Sequence, residues 1–341
     1  MKAVNSPAHA AHAGGVELYR GALVPTFETP ERAEIIREAV AAAGHALVAP
    51  RDIPEARLHG IHAPDFVEFL RGAHARWVAD GREGHVIPSG FPARGLRRDR
   101  RPAGISGSLG YFCFDASTPI VAGTWGAALA AARCAMTAAE LVAEGERAAY
   151  ALCRPPGHHA ATSTYGGYCY LNNAALAAQR LLAAGSRRVA IVDVDYHHGN
   201  GTQEIFYERD DVLFVSLHGD PETEYPWFMG YADERGSGRG EGFTLNLPLP
   251  AGTGWEAYAE ALSAGLAAAR RFAPDALVVS LGVDTFESDP ISSFRLSRGD
   301  YPRIGEALAA LGLPTVLVQE GGYAVAEIGE NVAGVLGAFD D

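Results

Sequence analysis

The sequence lacks the features that would assign it to a membrane, a nucleic acid or an oxidising compartment. No apolar run in its 341 residues is long enough to cross a bilayer, and its first residues show no basic stretch followed by a hydrophobic one. A cytoplasmic protein with no membrane partner is therefore expected. The four cysteines (Cys113, Cys134, Cys153, Cys169) include no CxxC pair, so neither a thiolate zinc cage nor a disulfide framework is indicated. Buried small hydrophobes are the expectation for them. Positive charge is in the minority: the net charge of −13 argues against nucleic acid as a ligand and suits a cationic one.

Hydrophobic residues at 48% and 40 glycines fit an α/β enzyme with tight turns between strands and helices. The first thirty residues show no clear periodicity. Helices are then expected over 30–43, opened by Pro30-Glu31-Arg32, and over 63–79, with Phe66, Phe69 and Leu70 on one face. Residues 81–118 resist assignment; a segment this long reads as a binding loop, a lid or a subunit contact. It carries Arg94, Arg97, Arg98, Arg100 and Arg101 close together. From Gly123 the pattern alternates, with helices at 123–144, 172–184, 201–209, 254–271, 299–311 and 325–337. Strands are expected at 148–153, from 189, at 212–217, at 276–283 and at 314–319. Strands separated by helices mean a mostly parallel sheet covered on both faces, and no linker interrupts it. One domain over 1–341, with an insertion at 81–118, is the expected organisation.

The chemistry gathers where strands end. Val189 to Val194 is apolar and β-branched, and is followed by Asp195-Tyr196-His197-His198-Gly199-Asn200-Gly201-Thr202. If the extended conformation persists to 197, Asp195 and His197 point the same way, with Asp193 deeper on that face. Carboxylates inside an apolar sheet need a cation or strong donors. The strand before it delivers His158-His159 after Pro155-Pro156-Gly157, the 276–283 strand delivers Asp284, and the last strand ends at Glu320-Gly321-Gly322-Tyr323. Asp195, His197 and Asp284 would give a divalent ion two oxygens and one nitrogen, leaving room for water and substrate. Zinc fits, and an oxygen-rich set also accepts Fe2+ or Co2+. Water at such an ion needs a general base, for which His158 or His159 is the candidate. Tyr323, projecting beyond two glycines, suits stabilisation of an oxyanion. Gly166-Gly167-Tyr168 with Tyr170 would give an aromatic wall.

These motifs (Arg154-Pro155-Pro156-Gly157-His158-His159, Gly166-Gly167-Tyr168-Cys169, 193–202, Gly282-Val283-Asp284 and Glu320-Gly321-Gly322-Tyr323) resemble the histone deacetylase family. The likeness covers about 123 to 338. Residues 19–27, the 81–118 insertion and Leu217-His218-Gly219-Asp220-Pro221 further resemble its acetylpolyamine amidohydrolase branch. The resemblance implies an arginase-like α/β fold and zinc-dependent removal of acyl groups from amines. It makes Asp195, His197 and Asp284 the zinc ligands, Tyr323 the partner of the scissile carbonyl and His159 the general base. His158 would donate to the attacking water, with Asp193 and Asn200 orienting His158 and His159. A structural potassium would involve Asp193, Asp195, His197, Ser216 and Leu217. Phe27, Gly167, Tyr168, Tyr225 and Asp115 would shape a channel for a small acetylated amine, and a homodimer through 81–118 is implied.

One departure stands out. Ser106 and Ser117 occupy positions where that branch places acids, leaving Asp115 as the one acid between Ala103 and Ile120. The arginines at 94–101 would oppose a cationic substrate if they faced the channel. A two-metal ureohydrolase is a competing reading, yet Gly199 and Phe286 stand where its bridging carboxylates belong. A metal-dependent binding protein would leave the histidine pair and Tyr323 without work. A protein deacetylase would need an open rim.

Overall fold

The computed structural model describes residues 1–340, and its centre is one eight-stranded parallel sheet. In chain order the strands of that sheet and the ribbon beside it are β1 (Lys2–Val4), β2 (Val16–Tyr19), β3 (Ala22–Pro25), β4 (Ala46–Val48), β5 (Ala148–Ala151), β6 (Val189–Asp193), β7 (Val212–Gly219), β8 (Thr244–Leu249), β9 (Ala276–Leu281) and β10 (Thr315–Gln319). The sheet runs β4-β1-β5-β10-β9-β6-β7-β8, and β2 pairs with β3 as a separate antiparallel ribbon. The helices are α1 (Pro30–Ala42), α2 (Pro64–Ala79), α3 (Ile105–Phe112), α4 (Thr124–Ala143), α5 (Asn173–Ala183), α6 (Asn200–Phe206), α7 (Trp255–Phe272), α8 (Asp300–Ala309) and α9 (Ile328–Leu336).

Alternation along the central strands sorts their side chains into two cores. Val189 and Ile191 of β6, with Val278 of β9 and Val316 and Val318 of β10, face α2, α3, α4 and α5. Ala190, Val192, Leu277, Val279 and Leu317 face the other layer, built from α1, α7, α8 and α9. That is why the central strands read as unbroken apolar runs: both faces are covered. At 20 residues, α4 is apolar and long enough to cross a membrane by length and composition, contrary to the expectation that no run would be. Its apolar surface is spent on the core instead, with 67% of its most apolar window buried.

Three differences from the expected elements stand out, and the first two have physical causes. The short strands β1 and β4, and the edge strand β8, carry too few residues or too mixed a pattern to stand out. In β8, Pro248 sits in an edge strand, where a missing N–H is tolerated. The organising strand stops at Asp193 rather than reaching 197. Asp193 Oδ1 accepts the Asp195 amide at 3.2 Å and Asp195 Oδ1 accepts the His197 amide at 2.9 Å. Each carboxylate captures the N–H two residues on, the turn-forming habit of aspartate, and the backbone leaves the extended conformation. In the 81–118 segment, α3 is helical and the remainder is largely irregular.

A candidate metal centre at the carboxyl edge of the sheet

The ends of β5, β6, β9 and β10 meet at one edge, where ligands of open parallel sheets bind. Although the extended geometry is lost after Asp193, the turns that replace it still bring the expected side chains together. One ligand atom each from Asp195, His197 and Asp284 lie within 4.8 Å of one another. His197 Nδ1 is 2.9 Å from Asp284 Oδ2 and 3.4 Å from Asp195 Oδ1. Gly321 lets the last turn close over this cluster: a Cβ there would stand 2.6 Å from Asp195 Oδ2 and 2.8 Å from Asp284 Oδ2. Its N–H instead donates to Asp195 Oδ2 at 2.8 Å.

The donor set fits a divalent cation. Burial, and then the Asp195 charge beside it, push the Asp284 carboxyl up into the neutral range. Burial opposes charge on the His197 ring, and the Asp195 and Asp284 carboxylates overcome it, raising the imidazole to about 10. Two buried carboxylates and one imidazole within reach of one another offer a dication oxygen and nitrogen donors, and its charge would take the place of the imidazole proton. A second metal finds no carboxylates where a two-metal site would need them. A Cβ on Gly199 would lie 2.3 Å from Asp193 Oδ2, and Phe286 is buried against Tyr301.

The two histidines of the Pro-Pro-Gly turn have opposite electrostatic surroundings. His158 Nδ1 lies 3.0 Å from Asp193 Oδ2, and although burial opposes its charge, Asp195 and Asp193 raise it to about 10. His159 is driven well below its ordinary value by burial, then by the charges of His158 and His197. Its Nδ1 is 2.6 Å from Asn200 Oδ1. Because a carboxamide oxygen only accepts, this bond puts the proton on Nδ1 and leaves Nε2 a free acceptor. A neutral imidazole so oriented is equipped to take a proton.

Tyr323 and Tyr168 line the same cavity, their rings 5.6 Å apart. Tyr323 N–H donates to Asp289 Oδ2 at 2.7 Å, and burial pushes its phenol well above the usual value. Three supports escaped the sequence reading. The Arg32 guanidinium lies 4.6 Å from the centre of the Tyr323 ring and donates to the carbonyls of Gly322 and Glu320. Glu320 Oε2 accepts the amides of Gly157 and His158 at 2.6 and 3.1 Å, fixing the turn that carries the histidine pair. Asp289 is the third. Arg32 looked like a helix opener, and nothing local marks a residue whose partners are almost 300 positions away.

The cavity above the cluster measures about 530 Å³. Tyr168, Gly167, Tyr225 and Asp115 line it, as expected. Gly167 has φ +57°, and a Cβ there would be 2.2 Å from the His159 ring. Phe27 does not line the cavity: its ring packs edge-on against Tyr19, which does. Tyr170 is no wall either, being buried in the core with its hydroxyl on the Pro119 carbonyl. Glu17, missed in the structureless reading of the N-terminus, is a lining residue whose Oε1 accepts the Tyr168 hydroxyl at 2.7 Å. Of the two serines, Ser117 lines the cavity and Ser106 lies within α3. The arginines at 94–101 are absent from the lining; Arg97 pairs with Asp99, and Arg101 sits over the Phe112 ring. On the potassium positions, Ser216 stands in register with Asp193, its Oγ 2.9 Å from His218 Nδ1, and Leu217 is buried beside it.

Known proteins resemble this chain along its whole length. The chain is 52% identical over 342 residues to acetylpolyamine amidohydrolase 1 of Pseudomonas aeruginosa, covering 100% of this chain and 99% of that one. It is 50% identical to the acetylpolyamine amidohydrolase of Mycoplana ramosa, covering 98% of each. The crystal structure of acetylpolyamine aminohydrolase from Burkholderia pseudomallei superposes with a TM-score of 0.95 at 41% identity, over 99% of this chain and 98% of that one. The histone deacetylase domain profile matches residues 26–339, and the chain belongs to that family of amide-hydrolysing deacetylases.

Proposed function

We propose that the protein is a zinc-dependent deacetylase of small N-acetylated amines, acetylpolyamines such as acetylputrescine or acetylcadaverine among them. The observation that carries this reading is the meeting, in one cavity, of a three-residue metal cluster, a neutral histidine with a free Nε2, and Tyr323. The names of the half-identical relatives supply the substrate class. Asp195, His197 and Asp284 would hold the metal, which when bound polarises the acetyl carbonyl and lowers the pKa of water. Zinc suits the mixed oxygen and nitrogen set, with Fe2+ or Co2+ as replacements.

The remaining work falls to the chain. His159 Nε2 removes a proton from the attacking water, and the same nitrogen returns it to the departing amine. Asn200 holds the tautomer that makes both transfers possible. His158, whose charged form the Asp193 carboxylate at 3.0 Å favours, donates to that water. The Tyr323 phenol, high in pKa and so fully protonated, donates to the oxygen as negative charge develops on it. Tyr168, Tyr225 and Tyr19 flank the alkyl chain. A potassium held by Asp193, Ser216, the Leu217 carbonyl and the carbonyls of Asp195 and His197 belongs to the same reading. So does pairing of two copies through 81–118, which Phe91 and Leu96 favour by exposing apolar surface.

A turnover panel tests the reading: acetylputrescine, acetylcadaverine, acetylspermidine, an acetyl-lysine peptide and an anionic N-acetyl compound, with metal-reconstituted enzyme. The expected outcome is highest kcat/KM for an acetylated diamine. A higher value for the peptide or the anion would remove the amine assignment and leave amide hydrolysis standing.

A further inference from the structure

A cationic substrate needs a carboxylate whose oxygens are free to meet it, and the cavity lining offers three: Glu17, Asp115 and Glu224. Two are already occupied by the protein. Glu17 accepts the Tyr168 hydroxyl at 2.7 Å, the Thr26 hydroxyl at 2.9 Å and the Phe27 amide at 3.4 Å. Burial raises its pKa, weakening it further as an anion. Asp115 is still more fully engaged. Its Oδ2 takes the Gly167 amide at 2.6 Å, the Tyr225 hydroxyl at 2.9 Å and the hydroxyls of Ser117 and Thr118 at 3.1 and 3.2 Å. Its Oδ1 takes the Ser117 amide at 3.2 Å. Both carboxylates are fasteners that hold the cavity walls in place, and drawing either toward an ammonium would break bonds to those walls.

Glu224 is different. Its side chain accepts from Ser293 Oγ at 3.5 Å, the outer limit of such a contact, and has the Tyr196 hydroxyl as its other polar neighbour. Its backbone is fixed, the amide donating to the Asp220 carbonyl at 2.9 Å and the carbonyl accepting from Trp227 at 3.0 Å. A half-buried carboxylate on a fixed turn, less engaged than Asp115 or Glu17, has acceptor capacity left for a donor. The opposing charge in the lining, Arg20, sits over the Tyr19 ring at 5.1 Å rather than on Glu224.

Resting on the proposed deacetylation of small amines, we propose that Glu224 is the residue that selects an acetylated substrate with a second, charged amine, by accepting a hydrogen bond from the distal ammonium. Asp115 and Glu17 shape the channel and do not supply that selectivity. Recognition is then a single ion pair at a partly wet position, so it weakens with salt.

The test compares acetylputrescine with N-butylacetamide, equal in chain length and lacking the amine, on the metal-loaded full chain and on Glu224→Gln. For acetylputrescine the variant is expected to raise KM roughly tenfold with kcat nearly unchanged, the size of one lost charge-assisted hydrogen bond. The salt dependence of kcat/KM should vanish with it, and N-butylacetamide should be indifferent to the change. Thermal melting of both proteins checks the fold, and Glu224→Asp, which keeps the charge, should retain part of the preference. A KM rise shared by both amides, or no rise for either, overturns the assignment while leaving the deacetylase reading intact. If wild-type enzyme ignores acetylputrescine while hydrolysing other amides, the amine substrate class falls and this assignment falls with it.

Discussion

The floor of the cavity and its rim are built on opposite terms. At the floor, Asp193, Asp195, Asp284 and Glu320 are essentially inaccessible to solvent, and backbone amides hold them in place. Asp195 alone receives the His197 and Gly321 amides, and Asp284 Oδ1 receives that of Tyr196 at 2.8 Å. The rim comes from the β2–β3 ribbon, the end of the 81–118 segment and the 219–241 loop, where Leu18 and Trp227 are half exposed and Phe228 is 90% exposed. The candidate chemistry lies among buried carboxylates held by backbone amides, and the substrate entrance among more exposed side chains. Damage to the floor should therefore abolish turnover, and damage to the rim should change which substrate is used.

The largest effect is expected from Asp284→Ala. Removing one of the two carboxylates proposed as ligands leaves an Asp195–His197 pair, and elemental analysis should find the metal lost along with activity. Retention of a full metal equivalent would move the ligand role elsewhere. Tyr323→Phe should keep metal and substrate binding and lose about a hundred- to a thousand-fold in kcat, as for loss of one oxyanion donor. An unchanged kcat with a higher KM would take Tyr323 out of the chemical step.

A third prediction concerns the scaffold under the floor. His62 is buried, with Nδ1 3.0 Å from the Ala161 carbonyl and Nε2 accepting the Asn172 amide at 2.9 Å. Only the neutral ring with its proton on Nδ1 satisfies both, and burial lowers its pKa from 6.5 to about 4. The unfolded chain thus takes up this proton first as pH falls. The contribution is intact above the unfolded value and lost between about 6.5 and 4, roughly 3 kcal/mol at most. Denaturant midpoints at pH 7.5 and 5 should diverge less in His62→Leu, itself weaker overall; an equal divergence would assign the acid sensitivity to other groups. The smallest effect belongs to the rim. Trp227→Ala should change KM a few-fold without altering kcat or melting temperature, and a drop in kcat comparable to that of Tyr323→Phe would erase the distinction between floor and rim.

Much of the floor was legible in the chain because its residues follow apolar strands at short range. Val189 to Val192 announces a buried strand, and the polar cluster after it can only lie at the sheet edge. His158, His159, Asp284 and Tyr323 are readable by the same rule. The rim was less legible. Glu17 lies in a four-residue strand that pairs only with its own ribbon partner, and Tyr19 rather than Phe27 lines the cavity.

What the sequence by itself determined is the set of groups and that each follows a strand of a parallel sheet: three candidate metal ligands, a histidine pair, a tyrosine, and glycines where backbone must approach closely. Local periodicity encodes this, since neighbours in sequence remain neighbours in a strand and the turn beyond it. Only the tertiary structure decided which groups are free to act. Asp115 and Glu17 are carboxylates like Glu224, yet hydroxyls and amides from distant segments occupy them more fully than they do Glu224. Arg32 became a support for Tyr323 only when α1 packed beside the end of β10. Hydrogen-bond occupancy is a property of contacts between remote segments, and no local pattern in the chain records it.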